Sequence, residues 1–181
     1  MLPFEDELVQ AKQGGQPSAP RYYSAADYHE LYKAGTVTPL QVAQTILSAI
    51  KKGQSPASKY EDAWVDTPGK EDFVLQAARE STDRYAKGKY LGVLDGVPIG
   101  VKDDVELKGY ISHFGMKYVP GIPFFKEQEE TIWPVKKLLE AGAVVIGKNK
   151  MHEVGAETSG LNVSATNSQP FTLRASLTEQ C

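Results

Sequence analysis

Residues 97–101 read Val97-Pro98-Ile99-Gly100-Val101, an apolar run between a Leu-Asp-Gly turn and the charged triplet Lys102-Asp103-Asp104. The run lacks alternation of apolar and polar side chains, which is typical of a strand buried on both faces of a sheet. A second apolar run, residues 143–146, follows an amphipathic helix predicted from about Thr131 to Glu140. Strand, helix and strand in this order predict a parallel, right-handed βαβ unit and therefore an α/β fold.

Three further helices are predicted before the first strand. Ser24 begins a capping-box pattern with Asp27 and opens a short helix that ends at Gly35. Thr38 caps a second helix with Pro39 at its first position, and residues 70–87 form a third. The second helix needs a partner surface because its apolar side chains recur at steps of three and four: Leu40, Ala43, Leu47 and Ile50.

Composition limits the classes of partner. The 181 residues contain 20 Lys+Arg and 23 Asp+Glu, for a net charge of −3, without a basic block. This argues against nucleic acid or an anionic membrane as the main partner. No run approaches the roughly 18 apolar residues that span a bilayer, and residues 5–7 are acidic where a signal peptide is basic, so we expect a cytoplasmic protein. The lone cysteine, Cys181, excludes a disulfide framework within one chain.

Two sequence features could suggest a ligand site, a phosphate loop or a metal centre, but neither has the residues that such a site requires. Residues 142–149 match the G-x-x-x-x-G-K phosphate-loop spacing, but the middle residues Ala-Val-Val-Ile favour a buried strand whose N–H groups are already paired. The histidines His29, His113 and His152 are not at metal-ligand spacing. We therefore expect neither a phosphate-loop nucleotide site nor a metal site.

Lys102 is the strongest catalytic candidate. It follows a predicted parallel strand, and open α/β sheets bind their ligands at the carboxyl ends of such strands. Burial there would favour the neutral amine, which is a base, whereas Asp103 and Asp104 would favour the ammonium form. The alternative is a structural lysine paired with a neighbouring carboxylate.

Two segments resemble the amidase signature family. Residues 91–104, LGVLDGVPIGVKDD, resemble the segment around that family's catalytic lysine. Residues 141–153, AGAVVIGKNKMHE, resemble its AGA-hydrophobic-GK segment. The resemblance runs from about residue 22 to 163. It divides the chain into a flexible arm (1–21), a partial amidase domain (22–163) and a divergent tail (164–181).

The resemblance implies hydrolysis of carboxylic amide C–N bonds, or transfer of their ammonia, without a metal or organic cofactor, on a large α/β fold around a mixed sheet. It implies a Ser–cis-Ser–Lys triad in which Lys102 accepts a proton through a bridging serine while a second serine attacks the amide carbon. A Gly/Ser-rich loop would hold the oxyanion with its backbone N–H groups. The implied fold of this chain is the N-terminal part, with helices packed on a partly formed mixed or parallel sheet.

The sequence departs from the family pattern after Val163. The family continues into a Gly/Ser-rich segment, whereas here Ser164, Ser168 and Ser176 lie in a stretch without glycine, so none is assigned as nucleophile. We expect a truncated amidase that is inactive alone. A non-catalytic binding or regulatory module is the alternative, and a nucleotide-binding protein ranks third. The expected partners are a small-molecule amide in the complete enzyme and, in a homo-oligomer, further copies of the chain.

Overall fold

The computed structural model describes residues 22–53, 58 and 60–156, so the predicted arm and tail lie outside the described residues. The described part contains helices α1 (Ala25–Lys33), α2 (Pro39–Ile50), α3 (Glu71–Ala86) and α4 (Trp133–Glu140) and strands β1 (Pro98–Lys102) and β2 (Val144–Asn149). Short 3-10 turns lie at Glu61–Ala63 and Glu153–Gly155. No helix among the described residues is long and apolar enough to cross a membrane.

Helices α1 and α2 begin where local signals predict. Ser24 accepts a hydrogen bond from the Asp27 N–H (3.2 Å), and the Asp27 carboxylate accepts one from the Ser24 N–H (2.9 Å), which completes a capping box. Thr38 and Gln41 do the same at the start of α2. Helix α4 begins at Trp133 rather than at the predicted Thr131. The Thr131 hydroxyl instead accepts a hydrogen bond from the Lys108 N–H (3.0 Å), which ties it to the preceding loop.

Strands β1 and β2 pair in parallel, from Pro98 opposite Val144 to Lys102 opposite Asn149. This confirms the parallel strand–helix–strand unit. Strand β2 continues to Asn149, beyond the predicted end at residue 146. The register shifts between Ile99 and Gly100, so that Ile146 has no partner in β1. A one-residue shift reverses which face each side chain takes, and Lys148 therefore lies on the face of Val101 and Val145.

The other edge of β2 is also paired, a feature that no sequence pattern predicts. The Val65 N–H donates to the Lys148 carbonyl and the Lys150 N–H donates to the Ala63 carbonyl, both at 2.9 Å. Strand β2 is buried along most of its length, as predicted, whereas β1 is only partly buried, with Gly100 and Lys102 exposed. The prediction that residues 97–101 are buried is confirmed for Val97 and Val101, whereas Pro98 and Ile99 are half-buried and Gly100 is exposed.

The core lies on both sides of this small sheet. On one side, Ala43 of α2 and Val74 and Ala78 of α3 pack against Val144 and Ile146. The predicted apolar stripe of α2 lies here, with Leu40, Leu47 and Ile50 partly buried against the same cluster. The opposite side contains a second apolar cluster: Val101, Leu107, Tyr110, Val135 and Val145. The structure is therefore a helix–sheet–helix arrangement, as expected for an α/β fold.

A fully buried carboxylate, Asp95, joins the helices to the sheet. Its oxygens accept hydrogen bonds from Arg84 Nε (2.9 Å) and Nη2 (2.6 Å), from Ser81 Oγ (2.7 Å) and from the Leu91 N–H (3.0 Å). Burial raises the pKa of Asp95, but the Arg84 guanidinium and the other two donors outweigh that effect and hold the pKa below its usual value. The carboxylate is thus satisfied as an anion inside the protein.

Two glycines let the backbone approach this carboxylate. Gly142 has φ +89°, and a Cβ there would collide with the Asp95 side chain. Gly96 has φ +75°, and a Cβ there would collide with Pro39 and Ser81. The Gly96 N–H donates to the Gly142 carbonyl (2.9 Å), which brings together the turns that precede β1 and β2.

We expect Asp95→Ala to lower the free energy of unfolding by about 3–5 kcal/mol, because it leaves the Arg84 guanidinium without its buried partner. The matched control is Asp83→Ala, at an exposed position of α3, the helix that carries Arg84. It should change the free energy of unfolding by less than about 0.5 kcal/mol. Urea unfolding measures both. Equal effects of the two substitutions would contradict the role assigned to Asp95.

The same interaction predicts a pH dependence. Because the pKa of Asp95 is lowered in the folded state, its contribution is present above the unfolded pKa of about 4 and is lost as pH falls through the folded value. The stability difference between the parent chain and Asp95→Ala should therefore shrink between about pH 7 and about pH 3. A difference that stays constant over this range would contradict the argument.

Candidate active site

Lys102 lies at the carboxyl end of β1, where the chain turns away from the sheet. The Val105 N–H donates to the Lys102 carbonyl (3.0 Å), which closes a turn over residues 102–105. The Lys102 ammonium lies 2.8 Å from Asp104 Oδ2, and the lysine side chain is 54% exposed. The position at a strand end is as predicted. The exposed side chain and its contact with Asp104 correspond to the alternative interpretation, a lysine paired with a neighbouring carboxylate, rather than to a buried base.

Asp103 points in the opposite direction, into the protein, and is fully buried. Its carboxylate accepts hydrogen bonds from the N–H groups of His113 (3.2 Å) and Gly115 (3.1 Å), and His113 Nδ1 lies 3.5 Å away. Burial raises the pKa of Asp103, but the His113 imidazole and these N–H donors outweigh it and lower the pKa. Asp103 therefore anchors the loop after β1 as an anion.

Lys148 is also fully buried, on the strand beside Lys102. Its ammonium donates to the Val105 carbonyl (2.6 Å) and to Ser112 Oγ (2.9 Å), and lies 4.0 Å from Asp103 Oδ1. Burial lowers the pKa of Lys148, and the nearby carboxylates, Asp103 first, oppose the shift only in part. The sequence contains one signal of a buried structural lysine at this position: a lysine that directly follows an apolar strand segment requires a polar partner if it is buried.

The Ser112–Lys148 contact has the geometry of a nucleophile beside a base. Ser112 is 2% exposed and Lys148 is fully buried, so no substrate atom can reach either group in this structure. The sequence patterns suggest Lys148 only as a phosphate ligand and do not single out Ser112. Their contact fastens the loop after β1 to β2.

The phosphate-loop interpretation of residues 142–149 is excluded by the backbone. The N–H groups of Gly142, Ala143 and Val144 donate to the carbonyls of Leu139, Leu138 and Val97. Residues from Val144 onward form β2, whose N–H groups are not free to surround an anion. The burial of Lys148 removes the remaining phosphate ligand.

The three histidines lie in different surroundings. His29 Nδ1 is 2.6 Å from the Tyr85 hydroxyl, His113 lies against Asp103, and His152 precedes the second 3-10 turn. Among the residues that the structure describes, no three His, Cys, Asp or Glu side chains are grouped as metal ligands would be.

A cavity of about 500 Å³ lies away from Lys102, between the end of α2 and the start of α3. Apolar side chains, including Leu47, Trp64 and Ile146, share its lining with charged ones such as Lys70 and Asp66. We assign this cavity no ligand.

We expect Lys148→Met to destabilise the fold by about 3–5 kcal/mol, because it removes a buried cation that binds Val105, Ser112 and Asp103. Lys150→Met is the matched control: this lysine lies in the same segment, is 21% exposed and pairs with Asp62 at 3.7 Å. It should cost at most about 1 kcal/mol. Denaturant unfolding of both variants tests the assignment, which fails if Lys148→Met is as mild as its control.

We also expect residues 142–149 to bind no nucleotide, since their N–H groups belong to a helix end and a strand. Calorimetric titration of the chain with ATP and magnesium should give only the heat of dilution. A saturable heat with a micromolar dissociation constant would restore the phosphate-loop interpretation.

Comparison with known proteins agrees with the resemblance found in the sequence. The family model described as Amidase matches residues 70–174, more than half of the chain. A fatty acid amide hydrolase from Arabidopsis thaliana is 32% identical over 147 residues, which cover 78% of this chain and 22% of that protein. A mitochondrial glutamyl-tRNA(Gln) amidotransferase subunit from Canis lupus familiaris is 36% identical over 121 residues, which cover 67% and 21%.

Solved structures show the same fold. A peptide amidase from Stenotrophomonas maltophilia superposes with a TM-score of 0.59 at 23% identity, over 72% of this chain and 25% of that one. Another structure, described as an amidase, gives 0.60 at 25% identity, over 78% and 30%. The chain thus spans about a fifth of the length of the curated relatives described above. Within that span, sequence and fold agree that the chain belongs to the amidase signature family.

Proposed function

We propose that this chain contributes the catalytic base, Lys102, to an enzyme that hydrolyses carboxylic amides. The observation that carries the proposal is the position of Lys102, the last residue of β1, at the carboxyl end of a parallel pair of strands. Membership of the amidase signature family supports amide chemistry. The similarity to fatty acid amide hydrolase covers 78% of the chain.

The chemistry requires a base because a serine hydroxyl is a weak nucleophile until its proton is removed. Lys102 would take that proton through a bridging serine, and backbone N–H groups would stabilise the oxyanion that forms on the amide carbonyl. The half-exposed Lys102 can be reached by another protein segment, whereas the fully buried Lys148 cannot. This contrast favours Lys102 over Lys148 as the base.

The polypeptide of residues 1–181 would not hydrolyse amides by itself. Ser164, Ser168 and Ser176 lie in a sequence without glycine, so this stretch lacks the small residues that let backbone N–H groups approach an oxyanion. The nucleophile, the bridging serine and the oxyanion donors would come from a Gly/Ser-rich segment of the family type. The substrate class is a small-molecule carboxylic amide.

A cytoplasmic location is a separate proposal, which rests on the composition of the sequence alone. The similar amidotransferase proteins are named as mitochondrial. Fractionation of cells that express the tagged chain distinguishes the two compartments.

A graft tests the catalytic proposal. Residues 1–163 are joined to the C-terminal part of the Arabidopsis fatty acid amide hydrolase that follows the matched region, and ammonia release from a fatty acid amide is measured. The graft should be active, and Lys102→Ala should reduce the rate at least about a thousandfold. Lys102→Arg should be equally inactive, because a guanidinium keeps the charge but does not give up its proton.

The exposed Lys89→Ala is the control and should leave the rate unchanged, and residues 1–181 alone should release no ammonia. A graft that stays active with Lys102→Ala would contradict the assignment of the base. Ammonia release by residues 1–181 alone would contradict the need for a further segment. A graft that unfolds cooperatively but is inactive would favour a non-catalytic binding or regulatory module.

A further inference from the structure

We propose that the free edge of β1 is a dimerisation surface, on which β1 of a second copy of the chain pairs in antiparallel register centred on Gly100. This inference does not rest on the proposed amide chemistry. Strand β2 pairs with β1 on one side and with residues 63–65 on the other, whereas among the described residues β1 pairs with β2 alone. Gly100 and Lys102 are exposed, so the second edge of β1 is open.

The main-chain groups of alternate residues in β1 point to opposite edges of the strand, as in any sheet. The Val97 carbonyl accepts a hydrogen bond from the Val144 N–H (2.9 Å), and the Asp103 N–H donates to the Asn149 carbonyl (3.1 Å). The odd-numbered residues from 97 to 103 therefore face β2. The even-numbered residues of the strand face the open edge: Pro98, Gly100 and Lys102.

These three residues present a short row of main-chain groups at the open edge. The row consists of the Pro98 carbonyl, the Gly100 N–H and carbonyl, and the Lys102 N–H. Proline has no N–H, and the Lys102 carbonyl already accepts a hydrogen bond from the Val105 N–H (3.0 Å). Within the described part of the chain, nothing bonds to the four groups of the row. Such a row is a template for a further strand.

The row is complementary to itself when two copies run antiparallel. Opposite residues of an antiparallel hydrogen-bonded pair exchange both N–H···O bonds, so Gly100 would bond to Gly100 of the second copy. Lys102 would lie opposite Pro98 of the second copy, and its N–H would meet the Pro98 carbonyl. The N–H that proline lacks would lie opposite the Lys102 carbonyl that Val105 already occupies. Each copy donates two bonds, four in all, and no group of the row stays unpaired.

Other antiparallel registers lose this match. A shift of two residues brings Gly100 opposite either Pro98 or Lys102 of the second copy, so one Gly100 group meets a missing N–H or an occupied carbonyl. Proline and lysine on an edge oppose strand pairing in general, and here they exclude the shifted registers. Because the outer edge of β2 is already paired, strand addition ends at two copies related by a two-fold axis.

The side chains fit the same register. Ile99 would lie opposite Val101 of the second copy on one face of the sheet, as a β-branched apolar pair that stabilises strand pairing. Two copies of Lys102 would be separated by four residue positions, about 13 Å along the strands. This exceeds the Debye length of about 10 Å at 0.1 M salt, so repulsion between the two ammonium groups is largely screened.

Analytical ultracentrifugation of residues 1–181 over a dilution series tests the dimer. The parent chain should change from dimer to monomer on dilution. Lys102→Pro removes two of the four bonds but none to β2, and it should raise the dissociation constant about tenfold or more. Lys102→Ala is the matched control, since it removes the same ammonium group but keeps the N–H. Its dissociation constant should stay within about threefold of the parent value.

Amide hydrogen exchange of the parent chain tests the register, also when Lys102→Pro does not fold. Fragmentation mass spectrometry resolves single residues. The N–H groups of Gly100 and Lys102 should exchange rapidly in the monomer and at least about tenfold more slowly in the dimer. The N–H groups of Ile99 and Val101 face β2 and should be protected in both states.

Four results would overturn the inference. In the first, the chain stays monomeric at every concentration. In the second, Lys102→Pro folds and dimerises as tightly as Lys102→Ala. In the third, the Gly100 and Lys102 N–H groups exchange rapidly in the dimer, so another surface forms it. In the fourth, they are already protected in the monomer, because another segment of the same chain covers the edge. None of these results bears on the activity of the graft.

Discussion

The buried carboxylate of Asp95 is the constraint on which the arrangement of helices and strands depends. A charge without access to water must be matched on all sides, and here Arg84 and Ser81 of α3 and the Leu91 N–H supply that match. The turns that lead into β1 and β2 meet beside it, through the contact of Gly96 with Gly142. Helix α3 and the starts of both strands are thereby fixed relative to one another. The start of each strand in turn determines the position of its other end, which carries Lys102 in β1 and Lys148 in β2.

The lysines at the far end of the sheet differ only because of their surroundings. Lys102 and Lys148 lie near one another on paired strands, yet one is half exposed and bound to Asp104, and the other is fully buried and bound to Val105 and Ser112. The shift in register at Gly100 produces this difference, since it turns Lys148 toward the loop that follows β1. The buried lysine thus holds the turn from which the exposed one projects.

This difference between the two lysines fits the proposed chemistry. A base that must exchange a proton with a second segment has to be accessible, whereas the groups that position it are more effective when water is excluded. Asp103 and Lys148 satisfy the second requirement and Lys102 satisfies the first. Asp104 has features of both groups, because its backbone is anchored in the turn and its carboxylate contacts the exposed amine.

The sequence by itself determined the features that arise from neighbouring residues. Capping boxes at Ser24 and Thr38, the apolar stripe of α2 and the strand–helix–strand order are encoded within a few positions, as are the motifs that identify the family. The tertiary structure alone decided how exposed each lysine is and which partners it has. The contact of Lys148 with Ser112 and Asp103 joins residues far apart in the chain. It depends on a shift in the pairing register of β1 and β2 that no local sequence pattern predicts. The exposure of Lys102 also follows from the tertiary structure, because the exposure of a side chain at a strand end depends on which segments pack over it.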